Sequence, residues 1–347
     1  MANNPYLKWM ADNTPTQWCN DSAILSDLQS ALEDGAVGCT TNPPLSFETL
    51  STRPGDFEKE YKNLDESAKC NDRAVEMIGV VVRTIGSILK DKGPWKDEQF
   101  GYVRAQVQPA LGRDKDAMLE MGKKLRSFGD NVMVKIPCTT AGIWTLEELA
   151  ALGIPTTPTV CLTVSQFIAV GEAHDRGRAR AEKAGIKPAP STAALVMGRL
   201  QDYLTALNEI RGTGLSFYDL ECAALAVTKR CYQENVKRGF NQKLMPAAFR
   251  SPRQVEQMVG SDVVMTIHPK VQKALLEAEG KGEIKRGNFI DDPVDQAALD
   301  RVAKALPEFT LALEPGAIPV GEFDFHGGTV MTLQGFDLTG WQKLLTL

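Results

Sequence analysis

Short apolar runs alternate with amphipathic stretches along most of this chain. The runs at 7–12, 35–40, 102–107, 132–136, 154–160, 193–198, 244–249 and 263–268 read as strands. Between them, apolar residues recur every three or four positions. Val75, Ile78, Val82, Ile85 and Leu89 form one helical stripe, and Met118, Met121, Leu125 and Phe128 form another. Leu146, Leu149 and Leu152 mark a shorter one. Pro252 opens a helix that carries Val255 and Val259, and Val271, Leu275 and Leu276 follow the eighth run. Eight rounds of strand and helix predict a (β/α)8 barrel, with a doubly wound open sheet as the alternative. The absence of a Gly-x-Gly-x-x-Gly fingerprint and of a P-loop counts against nucleotide binding.

Some regions exceed a minimal barrel. The stretch 43–100 is long and predicts at least one extra helix. Residues 172–187, rich in alanine and arginine, read as a solvated extension of the fifth helix, and 292–306 as a further helix. The glycine-rich tail 313–347 carries Phe323, Phe325, Phe336 and Trp341 and is not compositionally disordered. The expected organisation is a barrel with added helices over 1–312 and an extension over 313–347 that packs on it.

Composition narrows the function. With 347 residues, 43% hydrophobic and 24% charged, the chain has the make-up of a globular protein. A formal charge of −5 argues against a nucleic-acid or polybasic membrane surface. An anionic substrate would then be held by a few placed arginines. The start Met1-Ala2-Asn3-Asn4-Pro5 reads as no leader, and no apolar run is long enough to span a bilayer. Seven scattered cysteines, none in a Cys-x-x-Cys pair, read as reduced thiols in a cytoplasm. Three widely spaced histidines give no support to a metal cluster or a Ser-His-Asp triad.

In a barrel, chemistry gathers at the C-terminal ends of the strands. The expected strands place Asp12, Thr40-Thr41-Asn42, Gln106, Lys135, Thr159, Arg199 and Arg250 there. Lys135 stands out. Alternation puts it on one face with Met133, while Val134 and Ile136 share the other. A lysine amine among apolar neighbours loses solvation and becomes a nucleophile able to form a Schiff base with a carbonyl. The plainer reading is a lysine that snorkels to water from a strand end. The others have plain readings too: Asp12 and Asn42 as turn residues, Thr159 as strand packing, the arginines as surface ion pairs.

Taken in order, these segments resemble the transaldolase family over most of the chain. Thr40-Thr41-Asn42-Pro43 is the clearest signature, and Val134-Lys135-Ile136-Pro137 with Thr139 and Gly142-Ile143 the second. Gly153-Ile154 with Thr159 and Gln166, Gly198-Arg199 with Asp202-Tyr203-Leu204, 247–250 and Thr266-Ile267-His268-Pro269 follow. The resemblance implies a class I aldol mechanism without a cofactor or metal. Lys135 would form an imine with a ketose phosphate, and Asp12 would take and return the hydroxyl proton. Asn42, with Thr41, would hold the dihydroxyacetone unit. Gln106 and Thr159 would place a water, and Arg199 and Arg250 would bind phosphate. The usual family reaction converts sedoheptulose 7-phosphate and glyceraldehyde 3-phosphate into erythrose 4-phosphate and fructose 6-phosphate.

The implied partners are small sugar phosphates, with no nucleic acid and no membrane, and with a homo-oligomer left open. Departures raise a second reading. Most transaldolases carry glutamate where Gln106 stands, whereas the related fructose-6-phosphate aldolases carry glutamine and release free dihydroxyacetone. Ala194 and Ala248 match positions that often hold serine, and Val196 matches the aldolases' tyrosine. A non-catalytic sugar-phosphate-binding barrel is the third reading.

Overall fold

A computed structural model describes residues 4–62, 64, 65, 67–95 and 100–347. Residues 1–3, on which the leader reading rests, and 96–99 of the long 43–100 stretch lie outside the described residues.

Eight strands form one parallel sheet: β1 (Gln17–Asn20), β2 (Gly38–Thr40), β3 (Tyr102–Gln106), β4 (Val132–Pro137), β5 (Thr156–Thr159), β6 (Ser191–Leu195), β7 (Gln242–Pro246) and β8 (Val264–Ile267). Their order is β7-β6-β5-β4-β3-β2-β1-β8, and β7 lies against β8, so the two ends of the sheet meet and nearly close it. With helices around it, this is a (β/α)8 barrel.

Alternation along the strands builds two cores. Outward residues such as Val103, Ala105, Val134 and Ile136 pack under the helices in the main apolar cluster. Inward residues Cys19, Ala194, Met245 and Val264 form a small separate cluster within the barrel. Parallel strands covered on both faces favour such continuous apolar runs.

The first strand is not where the apolar pattern placed it. Residues 7–12 lie in the helix Pro5–Asn13. The Asn4 side chain caps it by accepting from the Leu7 N–H, and Pro5 occupies its first turn. Tyr6, Leu7 and Met10 form its buried stripe, a helical spacing. The strand Gln17–Asn20 pairs along its whole length with β8. The sixth and seventh strands also begin and end earlier than expected. Met197–Arg211 is a helix, so Arg199 sits in its first turn rather than at a strand end.

The segment 172–187 extends the helix Val164–Lys183, and one face of it is packed rather than solvated. Arg176 and Arg180 reach Glu147 and Glu148 on the helix Thr140–Ala151. The expected later helix is Gln296–Ala305.

The C-terminal residues fold across the mouth at the strands' C-terminal ends. Helix Gly327–Phe336 continues into a π-helical turn, Asp337–Trp341. Gly340 lies on the Pro43-Pro44 pair that follows β2. A Cβ there would come within 2.3 Å of Pro44 Cδ and of its nitrogen, so only glycine allows this approach. Buried Trp341 donates its Nε1–H to Asn71 Oδ1 at 3.0 Å, and Gln166 Nε2 donates to Thr329 Oγ1 at 3.2 Å.

Candidate active site

A cavity of about 320 Å³ opens at this mouth. Its walls carry Asp21, Asn42, Lys135, Thr159, Arg199, Arg250 and His268, and the C-terminal cover adds Phe336 and Thr339.

Lys135 lies at the centre of β4 and points inward. It is 4% exposed, and its Nζ donates to the Thr41 carbonyl at 3.2 Å, its one hydrogen bond to a described residue. Burial lowers its pKa to about 8, a fall that Asp21 opposes and Arg104 reinforces. A buried amine with most of its hydrogen-bonding capacity unspent, facing a cavity, is a competent nucleophile.

The carboxylate beside it is Asp21, immediately after β1. Burial raises the Asp21 carboxyl, against the pull of Lys135, His268, Arg199 and Arg104. Asp12, the residue expected in this place, is on the outer helix Pro5–Asn13. It pairs with Lys8 at 3.2 Å, and its side chain is 56% exposed. The rule that a carboxylate follows the first strand holds; the strand was misplaced by one element. The sequence signal that separates the two is Asn4-Pro5, a helix cap followed by proline at the first helical position.

Asn42 lines the cavity and also caps the helix Pro43–Thr52, its Oδ1 accepting from the Leu45 N–H at 2.9 Å. That bond fixes the amide orientation and leaves Nδ2 as a donor for a substrate hydroxyl. Thr41 does not reach the cavity. Its hydroxyl donates to the Arg104 carbonyl at 2.6 Å, and what it offers the site is the carbonyl that holds Lys135.

Gln106 stands beside Lys135 in the β3–β4 ladder. Its Oε1 and the Thr159 Oγ1 are both buried without a hydrogen-bond partner among the described residues. Thr159 lines the cavity and Gln106 does not, and two such buried polar atoms on the strands flanking Lys135 are suited to hold a water. The backbone after Thr159 is strained: Val160 has φ 54°, unusual for a β-branched residue. Gln166, a residue whose role the sequence left open, holds this turn. Its Oε1 accepts from the Leu162 N–H at 2.9 Å, and its Nε2 donates to the Cys138 carbonyl at 2.9 Å.

The arginines meet at the far wall. Arg250 places a guanidinium fork on Asp202, with bonds of 2.9 and 2.6 Å. Arg199 lies 3.6 Å from the same carboxylate, with its guanidinium 5.5 Å from the Phe336 ring centre. Burial and the charge of Arg250 both push Arg199 down. Gly198 lets these elements meet, since a Cβ there would fall 1.8 Å from the Ala248 carbonyl oxygen. Two cations sharing one carboxylate leave positive charge for an anion.

His268 was read only as part of a motif. It caps the helix Pro269–Gly280, its Nδ1 accepting from the Lys270 N–H at 3.1 Å, so its proton belongs on Nε2. Among the described residues, no group of three histidine, cysteine or acidic side chains is placed to hold a metal ion. No described helix is long and apolar enough to cross a membrane.

Residues 18–312 match the family model for transaldolase/fructose-6-phosphate aldolase. The chain belongs to the transaldolase/fructose-6-phosphate aldolase family. The match begins after Asp12 and includes Asp21. The chain is similar to Transaldolase 1 of Streptomyces coelicolor, at 25% identity with 89% of each chain covered. It is 26% identical to Transaldolase 1 of Streptomyces avermitilis, with 96% of each covered, and 25% identical to a transaldolase of Thiobacillus denitrificans, with 87% of each covered. It is thus an enzyme of the transaldolase type.

Proposed function

We propose that this enzyme moves a dihydroxyacetone unit between sugar phosphates through an imine on Lys135. The observation that carries this reading is the buried, under-bonded Lys135 amine facing Asp21 in a cavity that ends at two arginines.

In the forward half, the Lys135 lone pair attacks the ketose carbonyl carbon. The carbinolamine expels its hydroxyl as water, which Gln106 and Thr159 accept. Asp21 takes the proton of the hydroxyl beyond the breaking carbon–carbon bond. An aldehyde phosphate leaves, and the bonding electrons stay on Lys135 as an enamine. The enamine then adds to an acceptor aldehyde, Asp21 returns the proton, and water releases the new ketose. Asn42 Nδ2 donates to the retained three-carbon unit. Arg199 and Arg250 hold the phosphate, which displaces or shares their carboxylate Asp202. The reaction is that of sedoheptulose 7-phosphate with glyceraldehyde 3-phosphate, giving erythrose 4-phosphate and fructose 6-phosphate.

Gln106 favours a second reading. A glutamine orients water but cannot ionise, as in an enzyme that releases free dihydroxyacetone. The same overall reading treats 313–347 as an extension that covers the site. It also places the protein in the cytoplasm, in keeping with seven cysteines and no disulfide.

The test is release of glyceraldehyde 3-phosphate from fructose 6-phosphate, with and without erythrose 4-phosphate. Release that needs the acceptor supports transfer, and release without it supports the aldolase. Absence of release in both, with binding intact, would favour a non-catalytic binder.

A further inference from the structure

Arg104 is a charged residue inside the barrel that the reaction does not touch. It is 4% exposed. Its Nη1 donates to Cys19 Sγ and its Nη2 to Thr192 Oγ1, each at 3.3 Å, and its buried Nε has no partner among the described residues. Among the described residues no carboxylate pairs with it. Burial pushes the Cys19 thiol up, so that partner is neutral. A guanidinium buried without an anion is disfavoured, and its field is weakly screened.

Its position is fixed by register. Arg104 precedes Gln106 by two residues on β3, and its ladder partner Met133 precedes Lys135 by two on β4. Alternation therefore puts Arg104 on the inward face, one layer beneath Lys135 and Gln106. The ionisable groups facing that upper layer are Asp21 after β1, His268 after β8 and Arg199 from the helix Met197–Arg211. Of these, Asp21 is the one anion.

We propose that Arg104 is a positioning residue: a fixed cation with only neutral partners beneath the site, it favours Lys135 as the free amine and Asp21 as the carboxylate. Those are the two forms that imine formation and proton removal require. The proposal rests on the imine role assigned to Lys135. A second cation beside a buried amine disfavours its protonation, and one barrel layer of separation corresponds to an effect of about one pH unit.

The experiment titrates Lys135 without substrate. Its rate of reductive methylation by formaldehyde with cyanoborohydride as hydride donor is followed across pH by mass spectrometry of the Lys135 peptide. Arg104→Met should move the midpoint up by about one unit and lower the rate at neutral pH about tenfold, while Arg104→Lys keeps the midpoint. Cys19→Asp, which sets a carboxylate against an intact guanidinium, should move it the same way as Arg104→Met and covers the case in which Arg104→Met does not fold. An unmoved midpoint in a folded Arg104→Met or Cys19→Asp protein overturns the proposal. Borohydride trapping of a ketose by the wild type is measured separately. Its failure would count against the imine reading and leave the Lys135 titration intact.

Discussion

Two lysines in this molecule share a property and differ in use. Burial lowers both Lys135, in the barrel, and Lys229, on the helix Phe217–Arg238, to about 8. Lys229 is 5% exposed and donates to the Phe289 and Asp292 carbonyls at 2.7 Å each and to Gln257 Oε1 at 3.2 Å. All three of its N–H bonds are spent, and the three acceptors favour the ammonium. It is a clamp that ties its helix to the segment after β8. Lys135 has one long hydrogen bond, a carboxylate nearby and a cavity in front. A depressed pKa therefore does not by itself mark a nucleophile; unspent valence beside reachable space does.

The contrast breaks first, and hardest, at the amine itself. Lys135→Ala should lower turnover roughly a thousandfold or more and abolish borohydride trapping of a ketose, while the melting curve is retained. Trapping that persists at Lys229 would erase the distinction between the two. Next comes the proton acceptor. Asp21→Asn should cost about 10²–10⁴ in turnover, and Asp12→Asn should leave it within about twofold; steady-state rates of the two variants decide between the carboxylates.

The pH dependence sharpens the comparison further. Protonated Lys135 is unreactive, so trapping should rise about tenfold per unit as pH approaches 8 and level off above it. A trapping rate flat from neutral pH to well above 8 would contradict a titrating amine. Lys229→Met should instead cost about 1–3 kcal/mol in denaturant unfolding, because it orphans buried acceptors, with trapping at Lys135 unchanged. The smallest effect is expected from Gln106→Glu, which adds an ionisable group beside the reacting water. It should shift the pH profile of turnover without abolishing it, and an unchanged profile and rate would put Gln106 outside the site.

Most of the architecture was legible because strand and helix periodicities differ and each repeats around the barrel. Lys135 was legible for the same reason: in Val132–Pro137, alternation alone decides which side chains point inward. Asn42 could be found because Asn-Pro after a strand both ends the strand and caps the next helix. The first strand was not legible from apolar residues, since Gln17–Asn20 carries two polar side chains out of four while the helix before it is richer in apolar ones. Arg199 was placed one element early, since the apolar run of β6 continues into the first turn of its helix.

The sequence by itself determined the repeated alternation of strands and helices, the inward lysine and the placement of Asn42 and Thr159 at strand ends, because these depend on local periodicity and turn chemistry. Only the tertiary structure decided that Asp21 rather than Asp12 faces Lys135, since membership of the sheet is settled by pairing with β8, 247 residues away in the chain. It also decided that Phe336 and Thr339 reach the cavity and that Arg104 lies beneath it on the neutral partners Cys19 and Thr192, with no carboxylate paired to it among the described residues. Those facts depend on which distant segments share the barrel, and no local pattern encodes that.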